Sequence, residues 1–296
     1  MIRPTRSALF VPGHRAAWIE KAATYGADHL ILDLEDSVPD QEKVGARAIT
    51  KAGVKALRAK GQAVGVRING FATGLTLDDL DGILCPELES VSLPKVETVA
   101  DMHELDALLT HLERRLGIPV GTIETPLGCE TAKAMRNVYE IATACRRVQR
   151  VSLAAGPGGD AARAIGYTWS KEGTETLFLR SKVVLDARAA GIQYPTISSW
   201  WTIKDLEGLE RDARWNRQLG YRGMTVMHPS HVPIVNTVFT PSADEIAFCR
   251  GLIQAMEDAE KKGIAAVTYK GDMVDEAMVK TARELLDFAR SIGIET

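Results

Sequence analysis

The 296 residues, 45% hydrophobic and 25% charged, are enough for a full core in one large soluble domain, and the net charge of -3 gives no general attraction to nucleic acid or an anionic membrane. Four dispersed cysteines without a CxxC pair argue against a structural zinc site or a disulfide framework. The N-terminal stretch MIRPTRSALFVPG is too short in apolar residues for a signal peptide, and no run of about 18 apolar residues occurs, so the expectation is a cytoplasmic protein with neither nucleic-acid nor membrane partners.

In chain order, short β-rich apolar runs alternate with longer stretches of helical periodicity. Strands are expected at 7–11, 29–34, 63–68, 90–93, 120–123, 150–153, 193–197 and 223–227. Helices are expected between them at 16–25, 41–60, 98–115, 128–144, 174–190 and 205–219, each able to lay an apolar stripe on a sheet. Eight such units predict an α/β protein, a (β/α)8 barrel of the TIM type, over residues 1–238. An open doubly wound sheet has the same strand count, but the first strand is followed by VPGHR, not by a dinucleotide-binding glycine fingerprint. Residues 239–296 form a C-terminal helical extension: Ser242 reads as an N-cap of a helix running to about 262, followed by a short strand from 264, a turn at Lys270-Gly271-Asp272 and a final amphipathic helix. The extension is small and is expected to pack on its own barrel or on a neighbouring subunit.

Barrel enzymes build their sites at the C-terminal strand ends, where this sequence places His14, Arg15, Asp33, Glu35, Asp36, Arg67, Asn69, Lys95, Glu124, Asp160 and His228. Glu124 ends the fifth run and Asp160 follows the sixth after AAGPGG, and two carboxylates on one rim suit magnesium better than zinc, although a salt bridge and a helix cap would use the same residues. Gly156, Gly158 and Gly159 before Asp160 permit close backbone approach to a ligand, or simply a tight loop. Arg67 can grip a substrate carboxylate or carbonyl in bidentate fashion, or pair with Glu35 or Asp36. Lys95 can be an imine-forming nucleophile or an ion-pair partner; surrounding carboxylates favour the latter by holding its charge.

Several motifs recur in register: RSALFVPGHR, GADHLILDLEDSV, VRING, LPKVE, IET, GPGGDAARAIG, LRSKVV with AAGI, and MHPSHV. Their order resembles the citrate lyase β subunit family of the aldolase/citrate lyase group, which includes malyl-CoA and citramalyl-CoA lyases, from Arg6 to about Ala282. The resemblance implies a carbon–carbon lyase in which Glu124 and Asp160 hold Mg2+ and, with Gly158, Gly159 and Arg67, bind substrate. It further implies that Arg67 is catalytic, that Glu35, Asp36 and Lys95 orient the groups around it, and that Asp275 reaches a neighbouring subunit's site as a catalytic acid or base. The implied substrate is a β-hydroxyacyl-CoA of citryl, malyl or citramalyl type, cleaved to a 2-oxo acid and an acyl-CoA by a homotrimer or hexamer. Aldol cleavage of free 2-oxo acid aldols, or a carrier-dependent role within a citrate lyase complex, are the alternatives. The sequence departs from the family pattern before Asp160, where Gly158 and Gly159 replace an acidic neighbour, at His14, and at Trp200 and Trp201.

Overall fold

The computed structural model describes residues 4–261, 263 and 266–296, which fall into two compact units, Thr5–Phe239 and Thr240–Thr296, with Pro4 belonging to the second. The first contains eight parallel strands: β1 (Ser7–Pro12), β2 (His29–Asp33), β3 (Ala63–Arg67), β4 (Ser90–Ser92), β5 (Leu127–Cys129), β6 (Val151–Ala154), β7 (Thr196–Ser198) and β8 (Gly223–Val226). Their order, β4-β3-β2-β1-β8-β7-β6-β5, is completed by a bridge from Ser90 of β4 to Glu124, just ahead of β5, so the sheet curls round as a nearly closed barrel. The helices on its outside are α1 (Ala16–Ala22), α2 (Lys43–Ala59), α3 (Thr76–Ile83), α4 (Val99–Leu116), α5 (Ala132–Arg136), α6 (Val138–Ala142), α7 (Asp160–Ile165), α8 (Leu177–Ala189), α9 (Leu206–Leu219) and α10 (Val232–Phe239).

The period-2 alternation of the strands separates two environments. Leu9, Leu30, Val64, Val91, Leu153 and Ile197 are buried in the apolar core shared with the helices. Their neighbours Ala8, Ile31, Gly65, Ser90, Ser152 and Thr196 line the barrel interior instead. Burial of each large outer side chain contributes about 1.5–3 kcal/mol, so the core sits between strands and helices while the interior is free to be small and polar.

The fifth expected strand, 120–123, is corrected. The Glu113 carboxylate in α4 accepts the N–H of Gly121 at 2.8 Å and of Ile123 at 2.9 Å, so this stretch bonds to a helix rather than to a neighbouring strand. Only Glu124 bridges β4, donating to Glu89 O and accepting from Val91 N, and Pro126 has no N–H to give before regular pairing with β6 starts at Leu127. The seventh strand starts at Thr196, not 193, beyond Pro195, and the single helix expected at 128–144 is two short ones, α5 and α6, broken at Asn137. The other expected strands match to within a residue or so at each end.

The second unit holds α11 (Ala243–Glu260), the antiparallel strands β9 (Val267–Tyr269) and β10 (Asp272–Val274), and α12 (Glu276–Ser291). Ser242 caps α11 in a capping box with Glu245, and Lys270 and Gly271 take the positive φ values of 49° and 97° that a tight hairpin turn requires. Ile246, Leu252, Met256, Val279 and Leu286 form a core of its own. The expected helix end near 262 and the strand start at 264 lie outside the described residues. Among the described residues no helix is long and apolar enough to cross a membrane.

Candidate active site

A cavity of about 690 Å³ opens at the C-terminal ends of the strands and continues into the barrel. Arg67 stands on its wall at the end of β3. Asp33, at the end of β2, takes its Nε and Nη2 hydrogens at 2.7 and 2.8 Å, Glu35 lies 2.9 Å from Nη1, and Phe10 lies under the guanidinium at 4.7 Å. N–H groups on both Nη atoms remain for a ligand. Burial opposes the charges of this pair, but Arg67 holds the Asp33 carboxyl below the usual range, and Asp33 and Glu35 raise Arg67. For Glu35, burial wins and the carboxyl is raised. Asp36 reaches Arg67 only at 3.7 Å and is mostly exposed.

Lys95 leaves β4 with a left-handed φ of 54°, uncommon for a residue with a side chain. Its ammonium lies 3.2 Å from Glu35 and 3.4 Å from Asp160. Burial alone would lower its pKa, but Glu35, Asp160 and Glu130 raise it, so Lys95 is held as a cation and not as the free amine an imine would need. Asp160 is the first residue of α7 and also accepts from Arg163 at 2.7 Å; these cations outweigh burial and lower its pKa. Gly158 has a φ of +64°, which suits glycine, while a Cβ on Gly156 would fall 2.5 Å from Trp201 Nε1 and one on Gly159 would fall 3.0 Å from its Cη2. Trp201 therefore packs against the loop that presents Asp160 and lines the cavity, whereas Trp200 is buried and donates its indole N–H to Thr202 O and Asp205 O.

Glu124 is not at this mouth. The shift of β5 leaves its carboxylate 3.4 Å from Arg150 Nε, outside the residues that line the cavity. The carboxylate that ends β5 is Glu130, which sequence reasoning passed over. It lines the cavity, its Oε1 accepts the N–H of Lys95 at 2.7 Å, and burial and then repulsion from Asp160 raise its pKa against the pull of Lys95 and Arg67. The available signal was the alternation Pro126, Gly128, Glu130 inwards against Leu127 and Cys129 outwards, with Thr131 capping α5 directly after it. Among the other rim candidates, Asn69 is consumed by Lys43, Asp79 and the Leu34 carbonyl, His228 bonds Ser230, and neither they nor His14 and Arg15 line the cavity. Asp275 belongs to the C-terminal unit, where it caps α12 by accepting the N–H of Met278 at 3.1 Å.

Two carboxylates from adjacent strand ends, a cationic lysine in contact with both and a carboxylate-held arginine on the same cavity wall define a β/α-barrel enzyme with a site for an anionic, oxygen-rich substrate. The chain belongs to the HpcH/HpaI aldolase/citrate lyase family, whose sequence profile matches residues 6–229. It is 33% identical over 290 residues to the citrate lyase subunit beta of Leuconostoc mesenteroides subsp. cremoris, covering 98% of this chain and 94% of that one. It is 34% identical over 311 residues to an L-malyl-CoA/beta-methylmalyl-CoA lyase of Cereibacter sphaeroides, covering 98% and 96%. Among solved structures, it is similar to the protein CitE of Mycobacterium tuberculosis in complex with magnesium, acetoacetate and coenzyme A, at 25% identity and a TM-score of 0.73 over 97% of this chain and 98% of that one.

Proposed function

We propose that this protein is a magnesium-dependent carbon–carbon lyase that cleaves a β-hydroxyacyl-CoA to a 2-oxo acid and an acyl-CoA. The observation that carries the reading is the convergence of Glu130, Asp160 and Arg67 on one cavity at the C-terminal ends of the strands. Glu130 and Asp160 replace the expected pair Glu124 and Asp160 as metal ligands. The fit is chemical: two hard oxygen donors, close enough to repel, with water and substrate oxygens to complete a shell that two carboxylates cannot fill. When bound, magnesium supplies Lewis acidity toward the hydroxyl and carboxylate of the substrate.

The protein's own groups supply the rest. Gly158 and Gly159 line the same cavity, and their lack of side chains would let the backbone beside Asp160 approach the substrate carboxylate. As the substrate hydroxyl gives up its proton to solvent and its oxygen becomes the carbonyl of the 2-oxo acid, the breaking carbon–carbon bond leaves its electron pair on the thioester enolate, and the Nη hydrogens of Arg67, fixed in direction by Asp33, stabilise that charge. Glu35 orients both Arg67 and Lys95, and Lys95 offsets the repulsion among the carboxylates. Asp36 contributes only a weak outer charge. Asp275 is proposed to return the proton to the enolate carbon, supported by the match of GDMVDEA to the family's tail motif. Assembly as a homotrimer or hexamer, with Asp275 reaching a neighbour's site, belongs to the same reading, as does a cytoplasmic location.

The reading is tested by incubating purified protein and magnesium with malyl-, citramalyl- and citryl-CoA and measuring 2-oxo acid. Release that stops on chelation is expected; no release from any thioester would contradict it. Cleavage of free 2-oxo acid aldols without competition by CoA would favour the aldolase alternative, and activity only alongside a carrier protein would favour the subunit role.

A further inference from the structure

The interior of a (β/α)8 barrel is ordinarily packed with bulky branched side chains. Here most inward positions below the mouth are small, Ala8, Gly65, Ser90, Ser152, Thr196 and Thr225, with Ile31 a branched exception, and the cavity that begins at Asp160 and Lys95 continues past them to His29 and Arg150. The wall is tight where it is small: a Cβ on Gly65 would fall 2.2 Å from Ser90 Oγ and 3.0 Å from His29 Nε2, so glycine is what keeps both side chains at the cavity surface.

The floor of this shaft is charged. Arg150 Nη1 lies 3.3 Å from His29 Nδ1, and Arg150 Nε lies 3.4 Å from Glu124 Oε2 with neither of those two atoms making a hydrogen bond. His29 is 3% exposed and lies 3.8 Å from Glu89, which in turn pairs with Arg58. A buried N–H without a hydrogen bond is costly, and a guanidinium edge in poor register with its carboxylate is free to take a better-aligned oxyanion.

We propose that the barrel interior is the specificity pocket for the 2-oxo acid fragment, and that it selects a chain whose far end is a second carboxylate, paired with Arg150 beside His29. This rests on the lyase reading above, which anchors the 2-oxo acid end at Glu130 and Asp160. Leu127 of β5 pairs beside Arg150, and at ~3.3 Å per residue the rise from Leu127 to Glu130 leaves room for a chain of roughly six to eight carbons. Ile31, Ala8 and the Ser152 and Thr196 side chains would flank its methylenes.

The test runs the reaction in the condensation direction with acetyl-CoA and magnesium, comparing pyruvate, 2-oxooctanoate and 2-oxosuberate by kcat/KM, with calorimetric binding of 2-oxosuberate as a second readout. The wild type is expected to favour 2-oxosuberate over the equally long monocarboxylate by on the order of ten-fold, the size of one charge-assisted hydrogen bond. Arg150→Gln should remove that preference, and Ser152→Leu, which fills the shaft without touching a charge, should lower kcat/KM for 2-oxosuberate far more than for pyruvate. Turnover of pyruvate without any preference for the diacid, or equal losses on pyruvate and 2-oxosuberate in both variants, would overturn the proposal alone. Absence of condensation with every oxo acid would overturn the lyase reading and this proposal with it.

Discussion

Glu124 and Glu130 each follow an apolar run, PVGTI and PLGC, and in the linear pattern only the alternation around Gly128 and the cap at Thr131 favour the second. The deciding facts are contacts distant in sequence: Glu113 claims the first run, while Arg150 faces Glu124 and Lys95 faces Glu130. By contrast Arg67, Glu35, Lys95 and Asp160 were readable as site candidates, because Arg67 ends a strand and the others lie in the loops that follow the C-terminal ends of strands whose positions the apolar runs give. Arg67 also shows why residue type matters beyond charge. Its fork with Asp33 aims the Nη hydrogens, so Arg67→Lys should keep a cation but lose on the order of 10²-fold in kcat with a smaller change in KM, measured by 2-oxo acid release. A larger effect on KM than on kcat would place Arg67 in ground-state binding instead.

At the level of elements, the run leading into β5 is held by a buried pair. Glu113 is fully buried and accepts from Arg147 Nη2 at 2.7 Å as well as from Gly121 and Ile123. Glu113→Gln leaves Arg147 without its main countercharge and should destabilise the fold by about 3 kcal/mol, read by denaturant unfolding. Burial alone would raise the Glu113 carboxyl, but Arg147 and the two backbone donors outweigh it and the pKa is lowered. Its contribution is therefore complete above the ordinary glutamate value of about 4.3 and is lost as pH falls through the lower folded value, so stability in that acid range should depend less on pH in the variant than in the wild type. Such a network couples α4 to a turn, and no local periodicity announces it. The helix break at Asn137 was equally hidden, since 128–144 remains amphipathic through it, whereas the caps Ser242 and Thr98 mark the starts of α11 and α4 openly.

For the whole molecule, the eight-stranded barrel followed by a helical unit could be read from the count and spacing of apolar runs, because alternation and amphipathicity are properties of the chain itself. The C-terminal unit poses the sharper question, since Asp275 already has a structural task at the start of α12. Asp275→Ala should cost about 1 kcal/mol through the lost cap, and Asp275→Ser should restore the cap without the carboxylate. If Asp275 also moves the proton, the serine variant will unfold like the wild type yet exchange or protonate the acyl-CoA α-carbon far more slowly; recovery of activity with serine would confine Asp275 to capping.

Calorimetric titration of magnesium into the wild type, Glu130→Ala and Glu124→Ala tests the assignment of the metal to Glu130 and Asp160 without recourse to turnover. Binding should be lost in Glu130→Ala and kept in Glu124→Ala; magnesium bound normally by the Glu130 variant and lost from the Glu124 variant would contradict it.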